Sequence, residues 1–99
     1  MKDEFEPIVG FQWDEGNVDK NRTMDNVENW GCEQIFFNAP LLVAGDPRHS
    51  AKEERWAAFG HTDDGRLLTV VFTKRRNLIR VISARDMNRK ERGFYEEHE

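Results

Sequence analysis

Ninety-nine residues, 34% of them charged and 37% hydrophobic with a net charge of −4, are enough for one domain and too few for two well-packed ones. Three Trp, seven Phe and several Val/Ile/Leu runs exclude a disordered chain. A single cysteine, Cys32, excludes an internal disulfide or a thiolate metal cluster, and no apolar run approaches the ~20 residues of a membrane span.

In chain order, residues 1–10 read as a loose extension, and residues 11–99 as a single domain. No basic–apolar–small signal opens the chain, so a reducing, cytoplasmic setting is expected. Phe11-Gln12-Trp13 suits a short strand. Asp14 suits the N-cap of a first helix running to about Asn21, with Gly16 weakening its periodicity. Asn29 suits the N-cap of a second short helix through Phe37, whose apolar side carries Cys32, Ile35 and Phe36; Pro40 closes it. Leu41-Leu42-Val43 is a short apolar run ended by Gly45-Asp46-Pro47. Arg55 to His61 reads as a strand anchored by Trp56 and Phe59. Asp63-Asp64-Gly65 is a tight turn with Gly where positive φ is needed. Arg66 to Thr73 is a β-branched run, Lys74 to Asn77 the next turn, and Leu78 to Ala84 a further strand, which makes an antiparallel meander. Asn88 with Glu91 three residues on forms a capping-box start for a C-terminal helix with Phe94 and Tyr95 docking inward. The expected fold class is α+β: an antiparallel meander with two N-terminal helices and a C-terminal helix.

Charge is distributed unevenly along this scaffold. Residues 1–54 hold 5 Lys/Arg against 12 Asp/Glu, whereas Arg66 to Arg92 hold 9 against 2. Such asymmetry marks a polyanion-binding face on an otherwise acidic protein.

Four ordered stretches carry a family resemblance: Phe11-Gln12-Trp13-Asp14; Asp46-Pro47-Arg48-His49-Ser50 with Glu53-Glu54-Arg55; Ile79-Arg80-Val81-Ile82-Ser83-Ala84-Arg85; and Arg89-Lys90-Glu91-Arg92. Together, over about residues 11–97, they resemble the BrnT family of toxins. The resemblance implies a RelE-like ribonuclease fold and RNA cleavage that blocks translation. It also implies neutralisation by a BrnA-type ribbon-helix-helix antitoxin, in a complex that binds its own promoter DNA. At one place the chain departs from the pattern: the family shows a Lys-His pair at the end of the first helix, and the matching positions here are Met24 and Asp25. That change removes a cation and an imidazole, and a toxin-like module that only binds its antitoxin is the alternative reading.

RNA cleavage without a metal or cofactor needs a base for the 2′-OH, cations for the phosphoryl oxygens and an acid for the leaving 5′-oxygen. Arg80 and Arg85 are the first candidates for phosphate and transition-state contact, since a guanidinium stays charged and presents a planar fork. Arg80 interrupts an apolar strand, so it either faces an open site or anchors a salt bridge. Five residues separate it from Arg85, which puts the two on opposite faces of an ideal strand; they meet only if the strand bends or ends first, and Asp86-Met87-Asn88 suggests an end. His49 is the remaining candidate imidazole, against an ordinary exposed loop residue. Glu54 beside Arg55 is either catalytic or an ion pair at the sheet edge. Tyr95 can donate a proton or stack on a base, or simply pack. Lys74, Arg75 and Arg76 at a hairpin tip, with Arg89, Lys90 and Arg92, are expected to line a phosphate groove. His61 is expected to be solvated and His98 to serve no specific role. Trp13, Trp30 and Trp56 are assigned to the core.

Overall fold

The computed structural model describes residues 10–13, 27–45 and 53–99. The expected first helix, Met24-Asp25 and His49 therefore lie outside the described residues. The elements are β1 (Gly10–Gln12), α1 (Asn29–Gln34) running into a 3-10 turn (Ile35–Phe37), β2 (Leu42–Gly45), β3 (Trp56–His61), β4 (Leu67–Arg75), β5 (Leu78–Asp86) and α2 (Arg89–Glu96).

The longest strands are the ones richest in β-branched and aromatic residues, which fit a pleated, half-buried surface. β3 and β4 are joined through Asp63-Asp64-Gly65, where Gly65 takes φ 87° and donates its N–H to the Thr62 carbonyl at 2.9 Å. The Thr62 hydroxyl accepts from the Arg66 N–H at 3.0 Å. β4 runs on to Arg75, so the next turn is only Arg76-Asn77, with Arg76 at φ 61°. The Lys74–Asn77 turn expected from sequence was too long because charge was read as turn chemistry, whereas Lys74 and Arg75 continue the ladder to Ile79 and Leu78.

The strands lie in the order β1-β5-β4-β3-β2. β2 to β5 form the expected antiparallel meander. β1 departs from it: it pairs with β5 in parallel, Gly10 opposite Leu78 and Gln12 opposite Arg80, so the sheet is mixed. Three residues carry no directional signal, and the outer edge of β5 is one of the two that the meander leaves open. A second correction concerns α1. Glu28 is the residue at its N-cap, without a side-chain cap bond, and Asn29 is already helical.

One sheet face carries the core. Leu68, Val70 and Phe72 of β4, Ala58 of β3, and Ile79, Val81 and Ala84 of β5 are buried there with Val27, Cys32 and Ile35. Phe36 meets Phe72 edge-on at 5.3 Å and Phe11 at 5.6 Å; such tilted pairs add to plain area burial. Gly60 is where the 3-10 turn approaches most closely: a Cβ there would lie 2.9 Å from Ile35 Cβ and 3.2 Å from its carbonyl oxygen. Trp13 and Trp56 pack against this core, and Trp13 donates its indole N–H to Glu33 at 2.7 Å. Trp30, assigned to the core from sequence, is instead 55% exposed, as is about half of Phe94. In α2 the inward position belongs to Tyr95 alone, because its neighbour projects about 100° around the helix. No helix among the described residues is long and apolar enough to cross a membrane.

Candidate functional site

The opposite sheet face holds the cations. Along β4–β5, Val71 pairs with Ser83 but Phe72 pairs with Val81, which leaves Ile82 as an extra residue in β5. A β-bulge of this kind shifts the alternation of one strand by one residue. Arg80 therefore pairs with Thr73 and Arg85 with Thr69. Thr69 and Thr73 are four apart on an unbulged strand, so both arginines project from the same face, about 13 Å apart along it. The bulge, and not an early strand end, resolves the spacing: β5 continues through Arg85 to Asp86.

α2 divides this face. Its capping box is complete: the Asn88 side chain accepts from the Glu91 N–H at 2.8 Å, and the Glu91 carboxylate accepts from the Asn88 N–H at 3.0 Å. The same carboxylate receives both Nη atoms of Arg85, at 2.7 and 2.9 Å, and the Thr69 hydroxyl at 2.9 Å. Those donors, Arg85 foremost, pull the Glu91 carboxyl down to about 2. Further along, Phe94 contacts Phe59, and Tyr95, fully buried, donates its hydroxyl to the Pro40 carbonyl at 2.6 Å. His61 Nδ1 lies 3.0 Å from that hydroxyl oxygen. Since the tyrosine proton is given to Pro40, His61 must carry hydrogen on Nδ1 and donate it. His61 is thus tied to α2 and not merely solvated. Burial, with Glu99 nearby, raises the Tyr95 hydroxyl above its ordinary range.

The other half of the face lies beyond α2. Arg80 and Ser83 are half-buried there, Arg75 is exposed, and Thr73 is buried beneath them. Glu53 reaches in from the segment before β3. Its carboxylate meets Arg75 Nη2 at 3.3 Å. That hydrogen bond, with a smaller one from the Thr73 hydroxyl and the charge of Arg80, holds the Glu53 carboxyl below the usual carboxylate range. Sequence reasoning placed Glu53 in a family stretch without a role at the arginines, and passed over Thr73. The signal available was indirect, in that an arginine inside an apolar strand requires a carboxylate or an anion within reach.

The remaining candidates are dispersed. Lys74 faces the core side and sits 5.3 Å over the Trp56 ring, a cation–π contact. Arg76 is at the hairpin tip and exposed, and Glu54 is exposed ahead of β3. Arg89, Lys90 and Arg92 are exposed on α2, with Arg92 Nη1 donating to the Met87 carbonyl at 2.9 Å. The ladder from Arg75 to Leu68 separates the hairpin tip from the start of α2 by about 23 Å, so the two basic groups bracket the face instead of meeting in a pocket. On the core side, a cleft of about 230 Å³ opens between Trp30, Thr62, Asp64 and Arg66. Burial pushes the Cys32 thiol up to about 12, which leaves it without nucleophilic character. Among the described residues, no three His, Cys, Asp or Glu side chains converge as a metal site.

The family model described as a ribonuclease toxin, BrnT, of type II toxin–antitoxin systems matches residues 13–91. The chain belongs to the BrnT family. No individual curated protein matches it. Membership of this BrnT family makes the chain a toxin component, with an antitoxin as partner and RNA as substrate. The match takes in β2 to β5 and the start of α2, and so the whole of the bulged cationic face.

Proposed function

We propose that this BrnT protein is a metal-independent endoribonuclease of RelE-like fold that acts in the cytoplasm and blocks translation by cleaving RNA. The observation that carries the reading is the single extra residue in β5, which turns Arg80 to the face that Arg75 and Arg85 already share. Arg80 contacts the scissile phosphate and the charge that develops on it. Arg85, held by Glu91, contributes its outer edge to the RNA path and fixes α2 as one wall. Arg75, beside Arg80 on the same face, reaches the same phosphate, and Arg76 at one end with Arg89, Lys90 and Arg92 at the other steer the flanking phosphates, which is a backbone contact blind to sequence. Glu54 and His49 remain candidates for proton transfer, and Tyr95, being buried, acts by holding α2 in place. The antitoxin is a BrnA-like ribbon-helix-helix protein, and the complex binds promoter DNA through it.

The test is incubation of the purified chain with RNA in the presence of a chelator. Cleavage is expected to persist, and Arg80→Ala to lower it ~10²–10³-fold, the range for one oxyanion-stabilising group, with the melting temperature unchanged. A rate abolished by chelator, or an Arg80→Ala variant as fast as the parent, overturns the assignment. Met24-Asp25 in place of the family's Lys-His pair favours one alternative, an antitoxin-binding module without cleavage; intact RNA beside tight antitoxin binding would identify it.

A further inference from the structure

Cations alone do not start the reaction, because the attacking 2′-OH must lose a proton. We propose that Glu53 is the general base of this site, taking that proton while Arg75 and Arg80 hold the adjacent phosphate; the inference rests on the reading that the chain cleaves RNA. Three observations on the open half of the face support it. Glu53 is the carboxylate found against Arg75, at 3.3 Å, and its side chain is 38% exposed, within reach of a bound ribose. Thr73, buried beneath, lies against the same carboxylate and favours its charged form. Two further carboxylates near this face are committed to structure, Glu91 to Arg85 and the helix cap and Asp86 to Arg66 at 2.6 Å, while Glu54, next in sequence, is exposed ahead of β3.

A carboxylate paired with arginine is a weak base, and the site removes that weakness when substrate arrives. A phosphodiester draws the Arg75 and Arg80 guanidinium groups toward its own charge. Glu53 is then less compensated and its proton affinity rises. It takes the 2′-OH proton as O2′ bonds to phosphorus and the P–O5′ bond breaks. The departing 5′-oxygen takes a proton from water, and the hydroxide left behind accepts the proton from Glu53. The products are a 2′,3′-cyclic phosphate and a 5′-hydroxyl.

Cleavage of a short oligoribonucleotide, and binding of an oligodeoxynucleotide of the same sequence that cannot be cleaved, test this on the full chain. Glu53→Gln is expected to slow cleavage ~10²-fold or more while binding the deoxy probe as tightly as the parent or more so, since a negative charge leaves the cationic face. A Glu53→Gln protein that cleaves at the parental rate overturns the inference and leaves the ribonuclease reading standing. So does one that loses cleavage only in proportion to lost binding, which would make Glu53 a mere support for Arg75. A parent that cleaves no RNA ends the ribonuclease reading and this inference with it. Should Glu53→Gln fail to melt cooperatively, Glu53→Asp decides. It keeps the carboxylate, is expected to retain measurable cleavage and an acid limb in its pH–rate profile, and a folded Asp variant without either overturns the assignment.

Discussion

Glu91 shows how much one carboxylate can organise. It receives two guanidinium nitrogens, a hydroxyl and a backbone N–H, so its charged form is favoured in the folded chain and not in the unfolded one. The carboxyl falls from a usual 4.5 to about 2. A depressed folded value means that the stabilisation is complete above about pH 4.5 and is lost as pH falls toward 2. With Arg85 partly exposed and screened by solvent, the amount is on the order of 1–2 kcal/mol. Denaturant melts between pH 5 and pH 2 should show the parent losing that increment, and Glu91→Gln should be less stable at pH 7 but lose less on acidification. An acid limb of unchanged depth in the Gln variant would assign it to other carboxylates. Arg85→Ala is expected to behave like the Glu91 variant, which separates its structural part from the catalytic part of Arg80.

At the scale of elements, contact geometry outweighs propensity. β3 contains Gly60 in its interior, where glycine weakens a strand, because the carbonyl and Cβ of Ile35 leave no room for a methyl group. Gly60→Ala should cost about 1–3 kcal/mol, the range for an overpacked core, read as a lower denaturation midpoint at unchanged slope. A midpoint equal to the parent's would mean that the 3-10 turn yields freely. The elements legible in the sequence were those whose signals are local: the Gly65 turn, the Asn88–Glu91 capping box, and the β4 and β5 runs. The parallel β1 and the bulge at Ile82 were not legible. Both follow from which edge and which face remain available after the meander has packed, and Ile82 carries no glycine or turn residue to announce the insertion. The arginine at position 80 was visible as a charge out of pattern, whereas its companions Glu53 and Thr73 come from other segments and meet it only in space.

Over the described residues, an acidic chain gathers most of its positive charge on one sheet face and at the two ends of one hairpin. Binding that relies on phosphates spread over about 23 Å must be sensitive to salt, through release of counterions. For an oligodeoxynucleotide spanning the face, the plot of log affinity against log salt should have a slope of about −2 to −4, at roughly −0.7 per phosphate contacted. A flat plot would remove the basic groups from the binding surface. The acidic N-terminal half (5 Lys/Arg against 12 Asp/Glu) adds no attraction of its own, so affinity for nucleic acid should come from the C-terminal half.

The extra residue in β5 divides that strand into two stretches that are out of phase with each other. Deleting Ile82 would restore regular alternation and could not keep both stretches correctly oriented. Either Arg80 would rotate toward Phe36 and Phe72 while Ile79 and Val81 moved into water, or Arg85 would abandon Glu91 as Ala84 left the interior. In this strand the number of residues, and no single side chain, keeps the oily layer and the ionic layer apart.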